Sequence, residues 1–139
     1  MSLSAGTAVK SAHPEELKTI GDHIRKVRFE CNLSLKQTAK IMSVDDESIV
    51  NWEKRHKEPS IKSMAKITSF LGYIPFDDKD DQSLGRRLKR YRIKQGISKK
   101  RLAKQLGVDP TTLNRIEENR RGLNLRTYKI IGKLLDRRP

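Results

Sequence analysis

Shifted by 64 residues, this sequence lies on itself without a gap, so that residues 19–72 fall on residues 83–136. Gly21 meets Gly85, Arg28 meets Arg92, Ser34 meets Ser98, Ala39 meets Ala103, Val44 meets Val108, Asp45 meets Asp109 and Glu53 meets Glu117. Apolar positions agree in kind: Ile24 with Leu88, Leu33 with Ile97, Ile49 with Leu113, Trp52 with Ile116, Ile67 with Ile131 and Leu71 with Leu135. No other feature constrains the fold as much, because both copies must share one architecture. Each copy also has to close a core of its own. With 35% of residues hydrophobic and 5% aromatic, that core is modest, of the size small helical bundles build.

Each copy reads as four helices. In the first, Ile20, Ile24 and Val27 line one face of a helix that Asn32 ends. Ser34 caps a second helix with Ala39 and Met42 inward, and Asp45 caps a third with Ile49 and Trp52 inward. Ser60 caps a fourth, with Ile61, Met64, Ile67 and Leu71 at helical spacing before Gly72. Ile74, Pro75 and Phe76 are expected to fold back and close that core. In the second copy the inward sets are Leu84, Leu88 and Tyr91 in the first helix, then Leu125, Tyr128, Ile131 and Leu135 in the last. Residues 103–117, AKQLGVDPTTLNRIE, are two short helices around a tight turn. Gly107 takes the left-handed position, Val108 plugs the turn, Asp109 caps, and Pro110 stands where its missing N–H costs nothing. Leu113 and Ile116 face inward, which leaves Thr111, Thr112, Asn114 and Arg115 outward. Hydroxyls, an amide and a guanidinium on a short exposed helix suit it to touch base edges. The expected organisation is a flexible tail over 1–16, a domain over 17–76, an acidic, solvated linker over 77–82 (DDKDD, then Gln82) and a second domain over 83–139.

Charge separates the copies. The chain carries 31 basic and 17 acidic residues, net +14. Residues 18–76 hold 11 basic and 7 acidic residues, net +4, whereas residues 83–139 hold 18 and 4, net +14. A polyanion is the expected partner, gripped by the second copy. The first copy's third helix opens Asp45-Asp46-Glu47. Those acids can accept from cytosine amino groups, or they can merely favour a helix N-terminus through capping and the helix dipole.

Other chemistries find no support. His13, His23, His56 and the single Cys31 have no ligand-like spacing, so neither a metal nor a cofactor is expected. The DDKDD stretch lacks the glycine and distal glutamate of a calcium loop. No glycine-rich phosphate loop, catalytic triad or carboxylate pair is readable, so an enzyme and a small-molecule substrate are not expected. No run of eighteen apolar residues exists, nor an apolar leader at the N-terminus, and a lone cysteine offers no internal disulfide. A cytoplasmic protein with no membrane partner is the expectation.

Two motifs now stand out: LSLKQTA with SVDDESIVNWE, and ISKKRLA with GVDPTTLNRIE. In these the chain resembles, twice over, the Cro/phage-repressor-type (XRE) helix-turn-helix family, across nearly everything outside the tail and linker. The resemblance implies an all-α protein of two tandem lambda-repressor-like bundles, each of four to five short helices. It further implies that the third helix enters the major groove of double-stranded DNA while the second crosses the backbone. It also implies structural ion pairs, Arg28 with Glu53 and Arg92 with Glu117, and a core role for Trp52. Two departures are visible. The family's glutamine at the start of the second helix is replaced by Leu35 and by Lys99, and its glycine after Trp-Glu by Arg55 and Asn119.

The combined reading is a sequence-specific transcriptional regulator. Thr111, Thr112, Asn114 and Arg115 are its candidate base contacts, and Lys99, Lys100, Arg120 and Arg121 its candidate backbone contacts. Ser48, Val50, Asn51 and Lys54 form a weaker candidate reader, which leaves the first copy as a poor reader, a homodimer surface or a site for a protein partner. The alternative is an antitoxin or adaptor in which one copy binds DNA and the other a protein. RNA is a further rival, for which stacking aromatics are scarce.

Overall fold

The computed structural model describes residues 16–120 and 124–136. Among these, eight α-helices and no strand are present, and the chain divides into two compact units, Met1–Pro75 and Phe76–Pro139. The first unit holds α1 (Ile20–Glu30), α2 (Leu35–Met42), α3 (Asp46–Glu53) and α4 (Ile61–Leu71). The second holds α5 (Leu84–Gln95), α6 (Lys99–Leu106), α7 (Pro110–Glu117) and α8 (Leu125–Asp136).

Short polar side chains start these helices. Thr19 and Ser34 form complete capping boxes with Asp22 and Gln37. Asp45, Ser60, Ser98 and Asp109 each accept from the backbone N–H three residues on, and Asn124 does the same for Thr127. Ser83 departs from the pattern. Its side chain makes no cap; instead Asn119, at φ 59°, reaches back so that its Oδ1 accepts from Gly85 N at 3.0 Å while its Nδ2 donates to Ser83 Oγ at 2.7 Å. At the matched turn of the first unit Arg55 does not turn left-handed; the next residue, His56, does, at φ 53°.

The two cores repeat the same positions. Ile24, Ala39, Met42, Ile49, Trp52 and Ile67 are buried in the first unit, and Leu88, Ala103, Leu106, Leu113, Ile116 and Ile131 in the second. Trp52 is thus a core side chain. Between the two helices of each helix-turn-helix the backbone closes identically, Val44 N donating to Ala39 O and Val108 N to Ala103 O, both at 3.0 Å. The left-handed residue before each valine is Gly107 in one unit and Ser43 in the other. Serine carries a side chain into a conformation that is free only to glycine.

Three expectations need correction. Leu125 and Tyr128 are 67% and 54% exposed; α8 buries Thr127 and Ile131 instead, with Ile130, Leu134 and Leu135 packed against the core. The helix is apolar on adjacent stripes, and the stripe running through Thr127 and Ile131 faces in. Phe76, at φ 64°, is exposed, so it does not close the first core, although Pro75 before it is buried. The acidic stretch is not merely solvated. Arg90 on α5 donates to Asp77 Oδ2 at 2.7 Å and to the carbonyls of Asp78 and Asp81 at 2.6 Å each. The tail expected over 1–16 lies, apart from Glu16 itself, outside the described residues.

What fixes the third helix is its contact with the first. Arg28 Nε and Nη2 donate to the two carboxylate oxygens of Glu53 at 2.9 and 2.8 Å, and Nη1 donates to Leu33 O at 2.9 Å. Arg92 repeats this with Glu117 at 2.7 and 3.1 Å and with Ile97 O at 3.5 Å. Both pairs are buried. Beside them Gly21 and Gly85 lie on backbone: a Cβ at Gly21 would stand 1.7 Å from Trp52 O, and one at Gly85 2.2 Å from Ile116 O. Removing one partner of a buried pair strands the other's charge, at a cost of about 3–5 kcal/mol. Glu117→Ala is therefore expected to destabilise the second unit by that amount in urea unfolding; an unchanged midpoint contradicts the role given to the pair.

Candidate nucleic-acid interface

The helix-turn-helix of the second unit presents α6 and α7 with their polar sides outward. Lys99 and Lys100 open α6 and are exposed, as are Thr111 and Arg115 on α7; Thr112 and Asn114 are half-buried. Thr112 N donates to the cap Asp109 at 2.8 Å. Lys99 Nζ donates to Asn114 Oδ1 at 2.7 Å, which joins the start of α6 to the middle of α7. Asn114 Nδ2 donates to Glu118 Oε2 at 2.9 Å, and Arg120 Nη2 pairs with Glu118 Oε1 at 2.8 Å. The structure thus brings Lys99, Asn114 and Arg120 together on one surface, Lys99 bonded to Asn114 and Glu118 joining Asn114 to Arg120. Arg121 lies outside the described residues.

Glu118 and Asn119 were not singled out as functional by their sequence. The spacing of Glu118 four residues after Asn114 is the signal that could have found it, since such residues are neighbours on a helix. For Asn119 the available signal was a residue tolerant of left-handed backbone just past the helix end, but its reach to α5 depends on tertiary packing.

The matched surface of the first unit is occupied differently. Leu35, at the place of Lys99, packs against the core. Ser48 gives both its N–H and its hydroxyl to Asp45 Oδ1 at 2.8 Å. Arg55 bonds Asn51 Oδ1 at 2.6 Å and also Glu47, so the outward amide and carboxylate share one guanidinium. Val50 is half-buried and Lys54 exposed at the helix end. The weaker candidate residues are therefore not brought into one constellation like that of Lys99, Asn114 and Arg120.

Among the described residues no group of three or more histidine, cysteine, aspartate and glutamate side chains could hold a metal, and no helix is long and apolar enough to cross a membrane. What the fold and surface define is a tandem helix-turn-helix protein with an outward face suited to nucleic acid. A family described as helix-turn-helix matches the chain twice, over residues 24–79 and 88–139. The chain belongs to this family, of the XRE or lambda-repressor type, and is a DNA-binding helix-turn-helix regulator. No curated protein and no solved structure matches it.

The caps that begin the two third helices also set an acid sensitivity. The Asp109 carboxyl is held below the usual range, chiefly by the backbone N–H of Thr112, and Asp45 chiefly by the hydroxyl and then the N–H of Ser48. A depressed folded-state pKa adds stability that is complete above the ordinary carboxylate pKa of about 3.9 and is lost as pH falls through the folded value. Asparagine caps nearly as well and does not titrate there. Asp45→Asn/Asp109→Asn is expected to flatten the decline in thermal midpoint below about pH 4 relative to the unaltered chain; identical acid limbs contradict the assignment.

Proposed function

We propose that the chain is a sequence-specific transcriptional regulator whose main reader is α7, inserted in the major groove of double-stranded DNA. The observation that carries this is the contact between Lys99, opening the backbone-crossing helix, and Asn114, on the outward side of the next helix. It ties a phosphate-binding cation to a base-reading amide before any DNA arrives. In this reading Thr111, Thr112, Asn114 and Arg115 meet base edges, and Lys99, Lys100, Arg120 and Arg121 hold phosphates. The net +14 of residues 83–139 supports the assignment of the grip to this domain, with residues 17–76 as the other domain.

A second reading concerns the first domain. The Arg55 clasp on Glu47 and Asn51 and the apolar Leu35 favour a partner other than DNA there, either a second copy or a different protein, as in an antitoxin or adaptor. A stoichiometric protein partner in pull-downs, with DNA binding absent or insensitive to salt, is the result that selects that alternative.

Asn114→Ala is expected to relax preference at one base pair, with a loss of about 1–3 kcal/mol on the selected sequence and little on random DNA. Lys99→Ala is expected to weaken all sequences alike and to reduce the dependence on salt by about one counterion. Titrations of selected and random duplexes at two salt concentrations measure both. Equal losses on both duplexes for both variants refute this division of roles.

A further inference from the structure

The helix-turn-helix of the second unit carries an exposed acid that neither caps a helix nor enters the buried pair. Residues 83–139 contain four acids. Asp109 caps α7 and Glu117 is buried against Arg92, while Asp136 is exposed at the end of α8, away from the helix-turn-helix in sequence. Glu118 is left, exposed at the end of α7 and bonded to two of the groups assigned to DNA, Asn114 and Arg120. In a segment so strongly basic, a carboxylate at this place opposes the binding of phosphate.

Its second effect is geometric. A side-chain amide offers two N–H donors and two acceptor lone pairs. With Lys99 on Oδ1 and Glu118 on Nδ2, Asn114 keeps one donor and one acceptor, and which end is which is fixed. One donor beside one acceptor is the set that adenine requires through N7 and N6. Random DNA supplies phosphates everywhere but a matched base only by chance, so the repulsion from Glu118 goes uncompensated there.

We infer that Glu118 is a specificity-determining residue of the reading surface: it orients the Asn114 amide toward one base, and its charge weakens the hold on backbone that any sequence provides. The inference rests on the proposal that α7 reads DNA.

The test compares the full chain with Glu118→Gln and Glu118→Ala on the duplex recovered from selection and on a random duplex, at one salt concentration. Both variants are expected to bind random DNA roughly two- to fivefold more tightly, the size of effect that exposed charge pairs carry. Glu118→Ala is expected to gain nothing on the selected duplex, so that its discrimination falls. Glu118→Gln, which still offers an acceptor to Asn114, is expected to keep more of that discrimination. Unchanged thermal midpoints establish that the exposed substitution leaves the fold intact. If the unaltered chain discriminates and Glu118→Ala discriminates equally, the role of Glu118 is overturned and α7 remains the reader. If the unaltered chain binds both duplexes alike, the reading of DNA by α7 fails, and this inference with it.

Discussion

In each unit a buried arginine on the first helix clasps a buried glutamate that ends the third, and the rest of the architecture depends on that clasp. Two charges withdrawn from water are costly unless their hydrogen bonds are satisfied. Here both carboxylate oxygens meet the guanidinium, whose remaining nitrogen meets the carbonyl of Leu33 or Ile97. The loop leaving the first helix is thereby tied to the carboxyl end of the third. Gly21 and Gly85 complete the contact by letting backbone approach backbone closely. With the inner side of the third helix held so firmly, its outer side can vary without loss of the fold.

The two copies use that freedom in opposite ways. In the second, the outer side joins Lys99 to Asn114 and Asn114 to Glu118, among a large excess of cations. In the first, a leucine replaces the lysine and an arginine closes over Glu47 and Asn51. The duplication preserved the inner contacts while the outer ones diverged. This is why charge, which has little to do with the fold, is the clearest distinction between the units.

Much of this was legible in the sequence because it is local or repeated. Capping residues such as Ser34, Ser98, Asp45 and Asp109 announce helix starts by their own chemistry, and the 64-residue repeat aligns Arg28 and Glu53 with Arg92 and Glu117. What the sequence concealed depends on tertiary choice. Between Leu125 and Leu135 two apolar stripes compete, and only packing against α5 and α6 selects the one through Thr127 and Ile131. Asn119 caps a helix that begins 35 residues earlier in the chain, and Arg90 gathers an acidic stretch that reads as solvated. At the candidate site the outward residues of α7 could be named from helical spacing. Their linkage through Glu118 is signalled only by its place four residues after Asn114, which makes the two neighbours on a helix but does not specify the rotamers that join them.

The central claim is that one scaffold is used twice and that the second copy does the reading. Amide NMR shifts of the full chain, followed while duplex DNA of its selected sequence is added, test it most directly. The account predicts that the largest changes fall on residues 99–120, with residues 46–54 nearly unmoved. Changes concentrated on residues 46–54, or equal in the two third helices, contradict it.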